Sequence, residues 1–391
     1  VWDTHNHLDG SEHLCAQNFW DIGHYFWFCR ELQGVGYPLK PELLDEEARA
    51  LRFIDALNRG RNTYWNRMVR TAVEELFGIT LTDAKSIFEI NRKISLTRDD
   101  PQWAEKVCLK AGIAKLTITP AYKRNGLELI RHRHAYYNFF SPVSNADVDI
   151  VSNSADQKAA AEKLIAEKRR ELKSISDAGI SVLRTEWPFD AAQGLATDYP
   201  ELQATGNSRR AIRQSVGHAI FRTLDEMNFH LQIFIGMSAF PDEMISGAHG
   251  HCALNDPRRL FDMSGIFDRY SACTFEILNA AELSSLDIVQ MARIFCNVVP
   301  GGLWWFSFRG SVYQSNFQYR FEALPACRST IIATDARCME WAYIKTRFVK
   351  RQLAQFLCRQ IEEGYADHET AMYAAKSWLH DTAANYYVKN K

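Results

Sequence analysis

The chain has 391 residues, 47% of them hydrophobic and 24% charged, an ordinary globular composition long enough to bury a large core. A net charge of −1, from 46 Lys+Arg against 47 Asp+Glu, and a pI near 6.9 exclude the basic excess that a nucleic-acid or membrane-surface partner requires. No stretch reaches the ~18 apolar residues of a membrane span, and neither end of the composition points to a disordered or fibrous chain.

The start, Val1-Trp2-Asp3-Thr4-His5, lacks the basic and then apolar pattern of a secretory leader. Nine cysteines lie scattered without a Cys-x-x-Cys pair, which fits reduced thiols better than a disulfide framework or a zinc ribbon. A cytoplasmic location is expected. Short β-branched runs predict strands at residues 1–4, 114–119, 148–151, 180–184, 231–235, 274–278, 298–305 and 330–333. Helical spacing predicts helices over 45–59, 64–76, 156–178, 208–228, 284–296, 339–363 and 367–387. Strands alternating with helices imply a parallel sheet, and eight of them predict an α/β fold of the (β/α)8 TIM barrel type. Residues 9–110 read as helix almost throughout, so a helical insertion after the first strand is expected within one domain spanning 1–391. In such barrels the chemistry gathers at the C-terminal strand ends.

That rule ranks the motifs. Three His-x-His pairs occur, at His5/His7, His132/His134 and His249/His251. Residues two apart on a strand point to the same face, so two imidazoles there can share one ion. The second pair sits in a basic stretch that reads as helical or irregular, and the third in a glycine-rich loop. Only His5/His7 closes a predicted strand at the mouth, and neutral imidazoles suit zinc or another borderline divalent ion.

The run Ser329-Thr-Ile-Ile-Ala-Thr-Asp335-Ala-Arg337 ends an apolar strand in an acid and a base. Thr334 or Asp335 could simply cap the helix that follows. First and eighth strands are neighbours in a closed barrel, however. Asp335 can then reach the ion of His5 and His7, and Arg337 can hold a carboxylate or an enediolate oxygen through its planar fork. Gly301-Gly-Leu-Trp304-Trp305, at the end of the seventh strand, has a core reading, and also suits a wall over a sugar ring.

Taken in order, Asp3-Thr4-His5-x-His7-Leu8, the His24-Tyr25-x-Trp27 stretch followed by Arg30-Glu31-Leu32, Gly302-x-Trp304-Trp305-Phe306 and Thr334-Asp335-x-Arg337 resemble the uronate isomerase (glucuronate isomerase) family of the amidohydrolase superfamily. The resemblance implies a metal-dependent barrel that interconverts an aldose and a ketose uronate, D-glucuronate with D-fructuronate or D-galacturonate with D-tagaturonate. It implies one divalent ion, with zinc the ion its donors suit, held by His5, His7 and Asp335. It further implies catalytic roles for Asp335, Arg337 and Tyr25, and substrate contacts from His24, Trp304, Trp305 and Arg309. The implied partner is a small sugar acid, with no nucleic acid or membrane, and a homo-oligomer is compatible with it.

The chain departs from the family in three places. Phe234 stands where the family has a metal-site histidine, Arg184-Thr185-Glu186-Trp187 replaces Asp-His-Gly, and Ser307-Phe308-Arg309 replaces the polar residues after Trp-Trp-Phe. Phenylalanine has no lone pair for a metal, and Glu186 is a carboxylate placed to complete a site with His5, His7 and Asp335. Two other functions compete: hydrolysis or decarboxylation of a small carboxylic acid on the same barrel, and a barrel that binds without turnover.

Overall fold

The computed structural model of the chain describes residues 1–8, 14–98, 100, 102–118, 133–185, 200–239, 251–253, 256–304 and 307–388. It is an α/β structure with parallel strands, and the chain divides into two compact units.

The first unit holds residues 1–134, 308–314 and 332–365. Its strands β1 (Trp2–Asp3) and β2 (Lys115–Ile118) run parallel, with Trp2 opposite Lys115 and Asp3 opposite Leu116. The sequence between them folds into helices, chiefly Phe26–Gln33, Glu46–Arg59, Tyr64–Phe77, Ala84–Thr97 and Trp103–Ala111. Their ends follow from local chemistry. Asp45 accepts from the Ala48 amide, and Asp83 and Ser86 form a capping box, each satisfying amides that a helix start leaves unpaired. Gly78 and Gly112 end helices at φ of 66° and 72°. Phe19, Phe28, Phe53, Leu57, Val69 and Ile87 are completely buried and form the interior of this helical layer.

The second unit holds residues 135–307, 315–331 and 366–391. Strands β3 (Arg133–Phe139), β4 (Val182–Thr185) and β5 (His230–Ile235) form a parallel ladder. A short antiparallel pair follows, β6 (Met237–Ala239) with β7 (His251–Ala253), and then β8 (Thr274–Asn279) and β9 (Val298–Leu303) extend the parallel ladder from β5. Every residue of β5 and β9 is buried, as in a sheet covered on both faces.

Two expectations fail here. Residues 148–151 lie inside helix Asn145–Ser152, where Ser144 and Asp147 form a capping box and Val148 and Val151 bury one face three residues apart. The third strand is instead β3, in the basic segment expected to be helical or irregular. Its Arg and His content hid it, whereas ladder hydrogen bonds depend only on the backbone. The expected eighth strand forms no regular ladder among the described residues; in this unit its Thr330 amide donates to the carbonyl of Pro300, in β9, at 3.0 Å.

A buried polar knot locks the second unit. Glu276 accepts from His230 Nε2 at 3.1 Å, from Gln232 Nε2 at 3.0 Å, and from the hydroxyls of Thr330 and Tyr387. Burial works to raise this carboxyl, but the His230 contact and the two hydroxyls outweigh it and hold Glu276 below its ordinary value. Tyr387 comes from the last helix, Thr382–Tyr387, so the knot ties the chain end to β5 and β8. Tyr387→Phe should therefore cost about 1–3 kcal/mol, the cost of leaving a buried partner unpaired. Urea denaturation monitored by circular dichroism measures this, and an unchanged midpoint would show the knot to be energetically idle. Among the described residues, no helix is long and apolar enough to cross a membrane.

Candidate metal and acid–base site

Two segments far apart in sequence are laced together in the first unit. The Thr4 amide and hydroxyl both donate to the Ile332 carbonyl at 2.9 Å, and the Asp335 amide donates to the His5 carbonyl at 2.9 Å. The His7 amide donates to the Ala336 carbonyl at 2.8 Å. Buried Asp3 reinforces the seam, accepting from the Thr334 amide at 2.9 Å and the Thr334 hydroxyl at 2.7 Å. Burial nevertheless lifts the Asp3 carboxyl to about 6.

This lacing delivers three donor groups to one point. His7 Nε2 lies 2.9 Å and His5 Nε2 3.4 Å from Asp335 Oδ1, and donor atoms of all three lie within 4.8 Å of one another. Two ligands ~2.1 Å from one tetrahedral ion stand ~3.4 Å apart, so the spacing fits a divalent metal. The chemistry fits as well, two imidazoles and a carboxylate. His5 and Asp335 are buried, whereas the His7 side chain is 25% exposed and gives the cluster its open side.

Asp335 has φ of 51°, a left-handed conformation rare for a residue with a Cβ but tolerated by aspartate. It does not cap the next helix. Helix Met339–Glu362 starts behind Cys338 and has no side-chain cap. The carboxylate is instead shared, since Oδ2 accepts from the Tyr25 hydroxyl at 3.1 Å. Burial works to raise Asp335, but His7, His5 and Lys345 outweigh it and hold the carboxyl well below its ordinary value. Burial, and then the neighbouring Asp335 charge, keep the Tyr25 phenol protonated far into alkaline pH.

Behind Tyr25 stands Lys345, a residue that reasoning from the sequence passed over. It is completely buried, and its Nζ donates to the Tyr25 hydroxyl at 2.8 Å. Aromatic rings surround the ammonium, with the centroids of Tyr25, Phe308, Trp65 and Trp341 at 4.5, 5.2, 5.6 and 5.9 Å. Such faces attract a cation. Burial still lowers Lys345 to about 8. The signal was present in the sequence: Trp341, Lys345 and Phe348 recur at helical spacing, which puts the lysine on the apolar face.

The remaining expected residues are distributed as follows. Arg337 is exposed and its guanidinium lies 5.5 Å from the Phe26 ring centroid, beside Tyr25 in sequence. His24 packs into the helical layer, with Nε2 2.7 Å from the Tyr37 hydroxyl and its ring stacked on Trp20 at 4.6 Å. Burial drops its imidazole to about 4, so it is neutral. Arg309 is exposed. In the second unit, Phe234 packs edge-on against Trp304 at 4.9 Å, and Arg184 lies 5.6 Å from the Phe234 ring. Glu186, Trp305, His132 and His249 lie outside the described residues.

No protein-family model and no curated protein matches the sequence. Solved structures do match. A uronate isomerase from Bacillus halodurans is similar with a TM-score of 0.74 at 14% identity, covering 100% of this chain and 93% of that one. A uronate isomerase from Thermotoga maritima gives 0.74 at 14% identity, covering 99% and 93%. A glucuronate isomerase from Caulobacter crescentus gives 0.69 at 12% identity, covering 100% and 92%. The chain thus has the fold of uronate isomerases over its whole length.

Proposed function

We propose that this protein is a metal-dependent aldose–ketose isomerase of a sugar acid, acting on D-glucuronate/D-fructuronate or D-galacturonate/D-tagaturonate. The observation that carries the reading is the Asp335 carboxylate, shared between two histidines and a tyrosine in a chain with this fold. We further take the strands to close into a single (β/α)8 barrel domain carrying residues 9–110 as its insertion.

The reaction moves a proton between C2 and C1 through an enediol, and needs a base, an acid and positive charge beside the developing oxyanion. Asp335, held ionised, takes the C2 proton to form the enediol and returns it to C1. Tyr25, held protonated, donates its proton to the C1 oxygen as the enediol forms and recovers one from the C2 hydroxyl as the ketose forms, and Lys345 behind it favours the charge that develops there. Arg337 stands in solvent next to this group and presents a planar fork to substrate oxygens. His5, His7 and Asp335 would hold one divalent ion, zinc by the nature of its donors, which when bound polarises the substrate oxygens. Glu186 is offered as a fourth ligand, and Trp304, Trp305, His24 and Arg309 as substrate contacts. The small sugar acid is the sole partner the reading requires, and a cytoplasmic location suits it.

The test is to incubate purified metal-loaded protein with aldouronates in deuterated buffer and follow deuterium at C2 together with ketose formation. Both should appear for at least one uronate. Hydrolysis or decarboxylation of a carboxylic acid without C2 exchange would replace the isomerase reading with the hydrolytic one. Metal analysis supplies a separate check. The His5→Ala/His7→Ala protein should lose most of the divalent ion that the parent retains, and full retention would remove these residues from the site.

A further inference from the structure

Helices Tyr64–Phe77 and Met339–Glu362 border a cleft of about 140 Å³ within the first unit. The first helix lines it with Tyr64, Arg67, Thr71 and Glu75, spaced three and four residues apart along one face. The second brings Tyr343, Arg347 and Arg351 at four-residue steps. Buried Met68, Ala72, Ile344 and Phe348 supply an apolar floor.

The charges in this lining do not balance. Glu75 is its single carboxylate and is already engaged, by the Tyr343 hydroxyl and by Arg347 at 3.1 Å. Arg67 and Arg351 are exposed, and both guanidiniums bear on the Tyr64 phenol, opposing the rise that burial causes. The Tyr64 hydroxyl also accepts from Gln352 Nε2 at 2.8 Å, which fixes it at the cleft. Among the described residues lining it, two positive charges are therefore left over around a cavity with both polar walls and an apolar floor.

We propose that this cleft binds a small phosphate monoester, with its dianion between Arg67 and Arg351 and its carbon body on the apolar floor. A phosphate monoester carries close to two negative charges at neutral pH, matching the two uncompensated guanidiniums, whereas a carboxylate brings one. Guanidinium forks bind phosphate oxygens in pairs. At ~10–15 Å³ for one water, the cleft has room for roughly ten water-sized groups, enough for a phosphate group and part of its carbon body.

The test is isothermal titration of the intact protein with glucose 6-phosphate and with inorganic phosphate, at constant ionic strength set with chloride. Expected is saturable one-to-one binding, with the monoester tighter than inorganic phosphate. Arg67→Gln/Arg351→Gln should weaken it at least 10-fold. Thr71→Glu, which adds a carboxylate to the cleft and leaves both arginines in place, should weaken it in the same direction. His7→Ala should bind as the parent does, because the candidate site of His5, His7 and Asp335 is not involved. Unsaturable heats, parental affinity in both cleft variants, loss of binding in His7→Ala, or inorganic phosphate binding as tightly as the ester would each overturn the proposal.

Discussion

Asp335→Asn is expected to lower C2-proton exchange by about 10²–10⁴-fold, the range for losing a positioned general base. The amide has nearly the shape of the carboxylate, and asparagine tolerates the left-handed backbone that Asp335 adopts at φ of 51°. The fold should therefore persist. What goes is the negative charge that faces His7 at 2.9 Å and His5 at 3.4 Å, and the lone pair that accepts the substrate proton. Metal content should fall together with exchange. Deuterium incorporation and metal analysis on one preparation check both, with a melting curve to confirm folding. A variant that exchanges at the parental rate would remove Asp335 from the mechanism.

Lys345→Met should separate activity from stability. The ammonium is completely buried, and its polar contact is the Tyr25 hydroxyl at 2.8 Å. Burial costs the ammonium more than its neighbours return, which is why it loses its proton early, so an apolar group of similar volume should leave the protein about as stable as the parent. Turnover should nevertheless drop about 10²–10³-fold, as when one preorganised electrostatic donor is removed. The pH dependence follows from the same burial. Lys345 releases its proton at about 8 in the folded protein, against an ordinary value of 10.5. Between those values the unfolded chain binds the proton that the native state has released, so this residue makes stability rise as pH increases. Denaturation at pH 7 and pH 10 should show that gain in the parent and its absence in Lys345→Met. Parental turnover in the variant would reduce the lysine to a packing residue.

The candidate site was legible where chemistry lies in neighbouring residues. His5 and His7 were legible from their spacing at a strand end, whereas Asp335, equally able to cap a helix, joined them only through the expected neighbouring of the first and eighth strands and the family resemblance. Lys345 was not legible, because a lysine in a helix is ordinarily solvated, and only the apolar residues at its helical spacing hinted otherwise. His24 was legible as the neighbour of Tyr25, but its packing against Tyr37 and Trp20 was not. The strand at 148–151 failed because Ser144 and Asp147 together cap a helix that a short β-branched run does not exclude.

The sequence by itself determined the alternation of helices and strands, the helical stretch between the first two strands, and the donor types of the site. These depend on periodicity, capping and the chemistry of single side chains, all of which are local. The tertiary structure decided how residues more than 300 positions apart meet: the backbone seam between Thr4 and Ile332, the left-handed turn at Asp335, and the Tyr25 hydroxyl on its carboxylate. It also decided which charges lose their water and which charges face them, and so why Asp335, beside His7, His5 and Lys345, stays ionised while Lys345 gives up its proton early. Desolvation depends on everything packed around a group, and no local pattern in the chain records it.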